Sequence, residues 1–287
     1  MTITVTGSTG SIGSELVRLL AESRTSVRAV LRNTARATPL AGVEWHQADL
    51  ADASKLDAAL EGTTRLFLLT GIDPGFGEVQ SSVIRAAERL GVKHVVKLSA
   101  LGASAESRSP LAREHWEAEQ TLERSGMEWT ILRPHAFMQN WLAGVAPTVR
   151  AAKAIYSAVG DGRVPFIDAR DVAAVSAEVL RDPEPHVRKK YVLTGGEAIG
   201  YADLADALTE TLGTTVTYYP LTPEQEGERL RKIGIPDDIV ESLLALAAYQ
   251  KAGGPTARVT DSVEQILGRA PRTVREFVRD YRAAFMA

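Results

Sequence analysis

The sequence predicts an α/β protein built on a doubly wound parallel sheet. Short runs rich in Val, Ile, Leu and Thr alternate with amphipathic stretches, an order typical of β-α-β units. The run Leu66-Phe67-Leu68-Leu69 shows no polar and apolar alternation, as expected for a strand covered by helices on both faces. Strands are predicted at 2–6, 26–31, 43–47, 65–70, 94–99 and 129–133, and helices at 11–23, 53–60, 78–90 and 112–125.

The pattern is looser beyond Pro134. Residues 170–180 predict a helix, and residues 190–194 predict a strand that returns to the sheet. The carboxy-terminal part reads as mostly helical, with prolines near helix starts and glycines near helix ends. These are Pro223, Pro236 and Pro271, and Gly234, Gly253 and Gly268.

We therefore expect two domains. Residues 1–150 would form the nucleotide-binding domain, with its sheet revisited by residues 165–198. Residues 199–287, together with 135–165, would form a smaller, mostly helical substrate domain.

Composition excludes several classes of protein. The 287 residues are 45% hydrophobic, enough for a full core, and the net charge of −3 argues against a nucleic-acid-binding surface. The absence of Cys excludes disulfides, a thiolate nucleophile and a cysteine metal site, and the five His are too scattered for a metal centre. The chain begins with a strand and has no apolar run of membrane-spanning length, so we expect a cytoplasmic location and no membrane partner.

A glycine pattern directly follows the first predicted strand. Gly7 allows a sharp turn, Gly10 lets a pyrophosphate approach the backbone, and Gly13 lets the helix pack closely on the strand. The alternative is a glycine-rich structural turn, but the strand before it and the amphipathic helix after it favour a dinucleotide site. The expected phosphate-binding residues are Gly7, Ser8, Thr9, Gly10, Ser11, Ile12 and Gly13.

The end of the second strand indicates which dinucleotide binds. An acidic residue there accepts hydrogen bonds from the ribose of NAD, whereas an arginine accommodates the extra phosphate of NADP. Residues 26–43 contain no Asp or Glu, and the strand ends at Arg32. Arg32 therefore predicts NADP as the cofactor, against the alternative of a solvated arginine.

Five segments of the chain together carry a family resemblance. They are Thr6-Gly7-Ser8-Thr9-Gly10-Ser11-Ile12-Gly13, Val30-Leu31-Arg32-Asn33, Gly91-Val92-Lys93-His94-Val95-Val96, Ser125-Gly126-Met127-Glu128-Trp129-Thr130-Ile131-Leu132-Arg133-Pro134 and Val164-Pro165-Phe166-Ile167-Asp168-Ala169-Arg170-Asp171-Val172-Ala173. Together they resemble the NmrA-like branch of the atypical short-chain dehydrogenase/reductase superfamily, and the ending at 268–273 is similar to that of its triphenylmethane reductases and type 2 quinone reductases. The resemblance implies a Rossmann-type fold with a smaller substrate domain, in a family that also contains NADP-binding regulators.

The resemblance also implies further cofactor contacts. Asp49 and Leu50 match the position that meets the adenine, the alternative for Asp49 being a helix cap, for which Asp52 and Ser54 are better placed. The segment Leu69-Thr70-Gly71 matches backbone that lies along the cofactor, although a simple glycine turn explains Gly71 nearly as well.

The segment 134–141 resembles the family loop that closes beside the nicotinamide. It places Pro134 and Phe137 at the cofactor and makes His135 a candidate acid, with core packing as the alternative. We expect Phe137 to face a substrate cleft formed with segments 135–165 and 221–255.

The remaining catalytic candidates are Ser99 and His115. Standard members of the superfamily use a strand-end Ser and a Tyr-x-x-x-Lys pair; this chain keeps Ser99 but has His115 and Glu119 in place of Tyr and Lys. His115 could donate a proton and Glu119 could orient it. The alternative for His115 and Glu119 is that both are surface polar residues of an amphipathic helix. The alternative for Ser99 is a hydroxyl at a strand end without a catalytic role.

The missing Tyr-Lys pair guides the functional hypothesis. Reduction of a simple ketone creates an alkoxide that needs a well-placed acid, whereas a quinone or cationic dye spreads the added charge. We expect an NADPH-dependent reductase, monomeric or homodimeric, of a conjugated aromatic small molecule. Two alternatives stay open: an NADP-sensing regulator without catalysis, and a ketoreductase of an aromatic natural product with His115 or His135 as acid.

Overall fold

The computed structural model describes residues 1–286, without the side chains of residues 238 and 255. The chain forms two compact units. The first, here called the sheet unit, comprises Met1–His135, Ala169–Leu193 and Ser262–Arg269. The second, here called the small unit, comprises Ala136–Asp168, Thr194–Asp261 and the described residues from Ala270 onward.

The described residues contain nine strands and thirteen α-helices. The strands are β1 (Thr2–Val5), β2 (Ser26–Leu31), β3 (Val43–Gln47), β4 (Thr63–Leu68), β5 (His94–Leu98), β6 (Glu128–Pro134), β7 (Ala154–Ser157), β8 (Lys189–Leu193) and β9 (Thr217–Pro220). The helices are α1 (Ser11–Glu22), α2 (Ala53–Leu60), α3 (Phe76–Arg89), α4 (Pro110–Arg124), α5 (Asn140–Gly144), α6 (Ala146–Ala152), α7 (Ala169–Arg181), α8 (Tyr201–Leu212), α9 (Pro223–Lys232), α10 (Asp237–Ala252), α11 (Ser262–Leu267), α12 (Val274–Asp280) and α13 (Arg282–Phe285).

The sheet unit is built on a seven-stranded parallel sheet with the order β3-β2-β1-β4-β5-β6-β8. Helices α2, α3 and α4 bury apolar side chains against one face, where Leu66, Leu68 and Ile84 share a core. Helices α1 and α7 pack together against the other face. The chain changes direction across the sheet between β1 and β4, which is where doubly wound sheets bind ligands.

The predicted fold class is confirmed. All six predicted strands and four predicted helices of the first half form, with ends shifted by at most two residues, as in β4 and α3. The predicted returning strand is β8, which pairs in parallel with β6 through Arg133 and Val192. Pro223 opens α9, Pro236 precedes α10, and Thr273, two residues after Pro271, caps α12.

The small unit has a core of its own around Trp141. The indole lies against Phe166, with ring centroids 4.7 Å apart, and against Phe277 at 5.6 Å. Val145 and Val149 pack into the same core. For this reason residues 136–150, which the sequence placed in both predicted domains, belong to the small unit.

The small unit also contains a two-stranded parallel sheet, β7 and β9, that the sequence did not predict. Both strands are only four residues long, and Tyr156 and Tyr219 stack across them. Strands this short lack the periodic signal that revealed the main sheet.

Candidate functional site

The glycine turn after β1 has the geometry that a dinucleotide site needs. Gly7 has a φ of +63°, and a Cβ there would lie 2.9 Å from the carbonyl oxygen of Leu69. A Cβ on Gly13 would lie 2.2 Å from the carbonyl oxygen of Gly7, so α1 could not pack so closely on the turn. A Cβ on Gly10 would make only an ordinary contact at 3.5 Å. The fold therefore requires Gly7 and Gly13, whereas Gly10 leaves space above the turn.

The amino end of α1 is suited to an anion. Its N-cap is Gly10, which supplies no side-chain acceptor, and the first turn carries no acidic residue. The first backbone N–H groups of a helix have no partner within the helix, and the helix dipole favours negative charge beside them. The described residues at this position thus fit a pyrophosphate.

Two hydroxyl groups hold the turn in place. Thr6 Oγ1 donates to the carbonyl of Leu69 at 2.8 Å and accepts from its N–H at 2.9 Å. Ser8 Oγ donates to the carbonyl of Val30 at 2.7 Å and is buried. The Ser8 hydroxyl is therefore engaged with β2, and the end of β4 is joined directly to the turn.

A cavity of about 450 Å³ opens at the carboxyl ends of β1, β2 and β4. We call it the glycine cavity. Ten of the predicted cofactor-binding residues line it, namely Gly7, Ser8, Thr9, Gly10, Arg32, Asp49, Leu50, Leu69, Thr70 and Gly71. Six others do not, namely Ser11, Ile12, Gly13, Ser99, Pro134 and Phe137.

A second arginine, which the sequence interpretation missed, lines the glycine cavity beside Arg32. Arg36 lies in a short 3₁₀ turn after β2, whose start is capped by Asn33 accepting from the N–H of Ala35 at 2.9 Å. The capping Asn and the lack of any acidic residue between 26 and 43 are the signals that could have found it. Two exposed guanidinium groups therefore serve one cavity, a favourable arrangement for a phosphate monoester.

The alternative role of Asp49 as a helix cap is not observed. Asp52 caps α2, accepting from the N–H of Ser54 at 3.1 Å. Asp49 accepts from the N–H of Ala51 and lines the glycine cavity. A contact between Asp49 and the adenine stays a prediction.

The catalytic candidates of the sheet unit lie in a buried group formed by β5, β6 and α4. We call Lys97, Ser99, His115, Glu119 and Arg133 the charge cluster. Ser99 Oγ donates to Glu119 Oε1 at 2.5 Å, and Arg133 binds both oxygens of Glu119, at 2.9 and 2.5 Å. Glu119 is fully buried and His115 is 6% exposed, so the alternative of surface polar residues is excluded for both.

His115 does not interact with Glu119 in the way the sequence suggested. Its Nδ1 lies 3.2 Å from Nζ of Lys97, and its ring lies edge-on to Phe76 with centroids 4.7 Å apart. Glu114, the residue before it, accepts from the N–H of Gly77 at 2.8 Å and so fixes the start of α3 beside α4. Glu119 instead holds Ser99 and Arg133.

Lys97 is the residue that sequence reasoning overlooked. Helix α4 lacks the ammonium of the standard Tyr-Lys pair, but Lys97 on the adjacent strand β5 supplies an ammonium. Lys97 and Ser99 stand two residues apart and so point to the same face, toward α4. A lysine in the middle of a buried parallel strand was the signal available.

Burial sets the ionisation of the charge cluster. It lowers the pKa of Lys97 to about 7, an effect that Glu119 opposes and Arg133 reinforces. It also lowers the pKa of His115 to about 3, assisted by the charges of Lys97 and Arg133. For Glu119, burial raises the pKa, but hydrogen bonds from Arg133 and Ser99 lower it below its usual value. Near neutral pH the carboxylate is charged, His115 is neutral, and Lys97 is close to its titration point.

The segment after β6 is held by backbone contacts. His135 is 7% exposed, and its N–H donates to the carbonyl of Leu193 at 2.9 Å, while the carbonyl of Pro134 accepts from Leu101 at 3.1 Å. Phe137 is half-buried and pairs with Ile167 in the small unit. The roles proposed for these residues stay predictions.

No group of three or more metal-binding side chains occurs in the described part of the chain. Among residues 1–286, no helix is long and apolar enough to cross a membrane.

A doubly wound sheet with a glycine turn at its switch point defines a dinucleotide-binding, Rossmann-type protein. The chain belongs to the NmrA-like family, whose model matches residues 1–278. The resemblance inferred from the sequence is confirmed.

Three similar proteins are reductases. An NAD(P)H azoreductase of Xenophilus azovorans is 37% identical over 290 residues, which cover 99% of this chain and 99% of that protein. The NADPH-dependent quinone oxidoreductase QOR2 of Escherichia coli, solved with NADPH, has a TM-score of 0.87 at 31% identity and covers 98% of this chain and 99% of that chain. The triphenylmethane reductase of Citrobacter sp., solved with NADP(H), has a TM-score of 0.87 at 26% identity over the same shares.

Proposed function

We propose that the protein is an NADPH-dependent reductase that transfers a hydride to a conjugated small molecule such as a quinone or dye. The observation that carries the proposal is the glycine cavity, where a backbone turn suited to a pyrophosphate faces Arg32 and Arg36. The azoreductase, quinone oxidoreductase and triphenylmethane reductase named above support the reaction type.

The residues present fit the cofactor. The N–H groups at the start of α1 would bind the pyrophosphate, and Gly10 would allow it to approach. Arg32 and Arg36 would bind the phosphate of the adenosine ribose, and Asp49 would accept from the adenine amino group. When bound, NADPH supplies the hydride.

The predicted contacts outside the glycine cavity remain part of the proposal. Pro134 and Phe137 would close over the nicotinamide, and the backbone of residues 69–71 would lie along the cofactor. Ser99 would act from the end of β5, and His135 is the second candidate acid beside His115.

The ionisation of the charge cluster favours a conjugated acceptor. His115 is neutral at working pH, because burial and two neighbouring cations lower its pKa to about 3. A neutral imidazole is a weak acid toward a localised alkoxide but suffices where the acceptor spreads the incoming electron pair. Orientation of the acceptor over the cofactor then contributes most of the rate.

An acceptor panel tests this function. The parent protein is saturated with NADPH and mixed with quinones, azo dyes, triphenylmethane dyes and aromatic ketones, with Gly10→Val as the control that lacks the phosphate site. We expect oxidation of NADPH by conjugated acceptors and little by simple ketones. Tight binding of NADPH without oxidation by any acceptor would contradict the proposal and favour a regulatory role.

A further inference from the structure

Lys97 carries a positive charge into the interior of the sheet unit without a counter-ion of its own. Its side chain is 0% exposed in an apolar strand. Lysine is rarely buried to this extent unless it is paired, because removing an ammonium from water is costly. In the part of the chain that the structure describes, no carboxylate lies at ion-pair distance from Nζ; its hydrogen-bond partners are His115 Nδ1 at 3.2 Å and the carbonyl of Leu98 at 3.4 Å.

Glu119, the carboxylate whose charge raises the pKa of Lys97, is committed to other groups. Its oxygens accept from Arg133 and Ser99, and Lys190 lies 3.5 Å from Oε2. Arg133 therefore neutralises Glu119 and places a second cation near Lys97. A lysine in such surroundings gives up its proton more easily than one paired with a carboxylate.

His115 contacts Lys97 on one side and, on another, the ring of Phe76, which connects it to the glycine cavity. Phe76, whose ring contacts His115 edge-on, lines that cavity. When Lys97 is an ammonium, it donates to Nδ1, which leaves the imidazole proton on Nε2. The hydrogen bond thus selects the tautomer that can donate from the nitrogen remote from Lys97.

We propose that Lys97 and His115 form a proton relay for a reduced quinone, with Lys97 acting through His115. The proposal rests on the proposed function and names the proton source for that reaction. As the quinone receives the hydride supplied by NADPH, His115 gives it the proton on Nε2, and Nδ1 takes a proton from Lys97. The quinone thereby gains two electrons and two hydrogens, NADPH becomes NADP⁺, and Lys97 becomes a neutral amine.

The relay resets with one proton from solvent. That proton binds Nε2 of His115 after the product leaves, and the proton on Nδ1 returns to Lys97. Each turnover with a quinone therefore consumes one solvent proton, as the overall reduction requires. A cationic triphenylmethane dye needs no proton, because hydride transfer alone neutralises it.

The surroundings of the pair favour this role near neutral pH. Burial lowers the pKa of Lys97 to about 7, and a proton donor works best when its pKa lies near the working pH. Glu119 on α4 raises this pKa and Arg133 on β6 lowers it, while α3 presents the uncharged ring of Phe76 to His115. On the opposite face of the sheet, α7 carries Asp171, which is paired with Arg269 at 2.8 Å.

The first test compares Lys97→Met with Lys93→Met, the same substitution at an exposed lysine that directly precedes β5. Single-turnover oxidation of bound NADPH by a quinone is measured from pH 5 to 9, in H₂O and D₂O, for the parent, both variants and His115→Ala. In the parent we expect the rate to fall as the pH rises through about 7. Lys97→Met should lose this pH dependence and slow the reaction about tenfold or more at low pH, with the Kd for NADPH unchanged. Lys93→Met should match the parent.

The variants also test whether the two residues act together. Adding Lys97→Met to His115→Ala should have no further effect, because the relay is already broken. A parent-like pH profile in Lys97→Met, or additive losses of rate in the double variant, would overturn the relay but not the proposed function. A parent that binds NADPH but reduces no acceptor would overturn the proposed function and the relay with it.

A measurement without turnover completes the test. Nitrogen NMR of the protein reports the protonation of both ring nitrogens of His115. At pH 6 we expect a neutral ring protonated on Nε2. The Nδ1 signal should change as Lys97 titrates, and this change should disappear in Lys97→Met. A ring that becomes an imidazolium near pH 6.5, or an Nδ1 signal indifferent to Lys97→Met, would contradict the relay.

Discussion

The glycine cavity and the charge cluster lie on either side of Phe76, and they are built in different ways. The glycine cavity depends on backbone: a turn at Gly7, the start of α1, and strand ends that the parallel register brings to one edge. The charge cluster depends on side chains from three separate elements that meet through burial. Cofactor binding should therefore fail when a side chain blocks the approach of the phosphates to the backbone. Single side-chain changes in the charge cluster should instead lower the reaction rate by intermediate amounts.

The largest effect is expected from Gly10→Val. The cavity side of the turn would be filled, while the contact with the Gly7 carbonyl stays acceptable, so the fold should survive. Loss of two charge-assisted hydrogen bonds should raise the Kd for NADPH by on the order of 100-fold or more. Calorimetric titration measures the Kd, and thermal unfolding of the unliganded protein checks the fold. An unchanged Kd would show that the phosphates bind elsewhere.

The next effect is that of His115→Ala. Single-turnover NADPH oxidation with a quinone should slow by about tenfold to a few hundredfold, at or below the usual contribution of a general acid. The reason is that a conjugated acceptor needs little proton delivery. If this loss exceeded that of Gly10→Val, proton transfer and not cofactor positioning would dominate the reaction.

A smaller effect is expected at the arginine pair. The parent should prefer NADPH over NADH by at least about tenfold, since one charge-assisted phosphate contact contributes roughly 1.5 to 3 kcal/mol. Arg32→Ala and Arg36→Ala should each reduce the preference, and the double variant should abolish it. Affinity for NADH, which lacks the phosphate, is the internal control and should not change. Equal affinities of the parent for both cofactors would contradict the assignment.

The last effect concerns the stability of the fold and leaves cofactor binding unchanged. Lys97→Met should raise the free energy of unfolding below pH 7, by on the order of 1 to 4 kcal/mol, because a buried charge is replaced by an apolar chain. The folded state lowers the pKa of Lys97 from 10.5 to about 7, so between these pH values the unfolded chain binds more protons. The parent therefore gains stability as the pH rises from 7 to 10.5. The difference in the free energy of unfolding between the parent and Lys97→Met should narrow over the same range. Denaturant unfolding at pH 6 and pH 10 checks this, and a constant difference would show that Lys97 does not titrate in the folded state.

The two regions also differ in how far the sequence could predict them. Gly7, Gly10 and Gly13 are contiguous with the strand and helix that they join, so their spacing predicts both the turn and its ligand. Arg36 was missed because its approach to the cavity depends on a 3₁₀ turn with no hydrophobic period. The pairing of Lys97 with His115 could not be predicted, because it depends on how α4 is rotated over β5. The strands β7 and β9 were missed because each is only four residues long, too short for a periodic signal.

The most direct test of the account uses NADPH deuterated at the transferred position of the nicotinamide. The parent protein, saturated with this cofactor, is mixed with a quinone or azo dye in a single-turnover experiment. We predict that the deuterium appears in the reduced acceptor, that the reaction is slower than with ordinary NADPH, and that Gly10→Val abolishes it under the same conditions. Tight binding of the cofactor with no deuterium transfer to any conjugated acceptor would contradict the central claim that this protein is a hydride-transferring reductase.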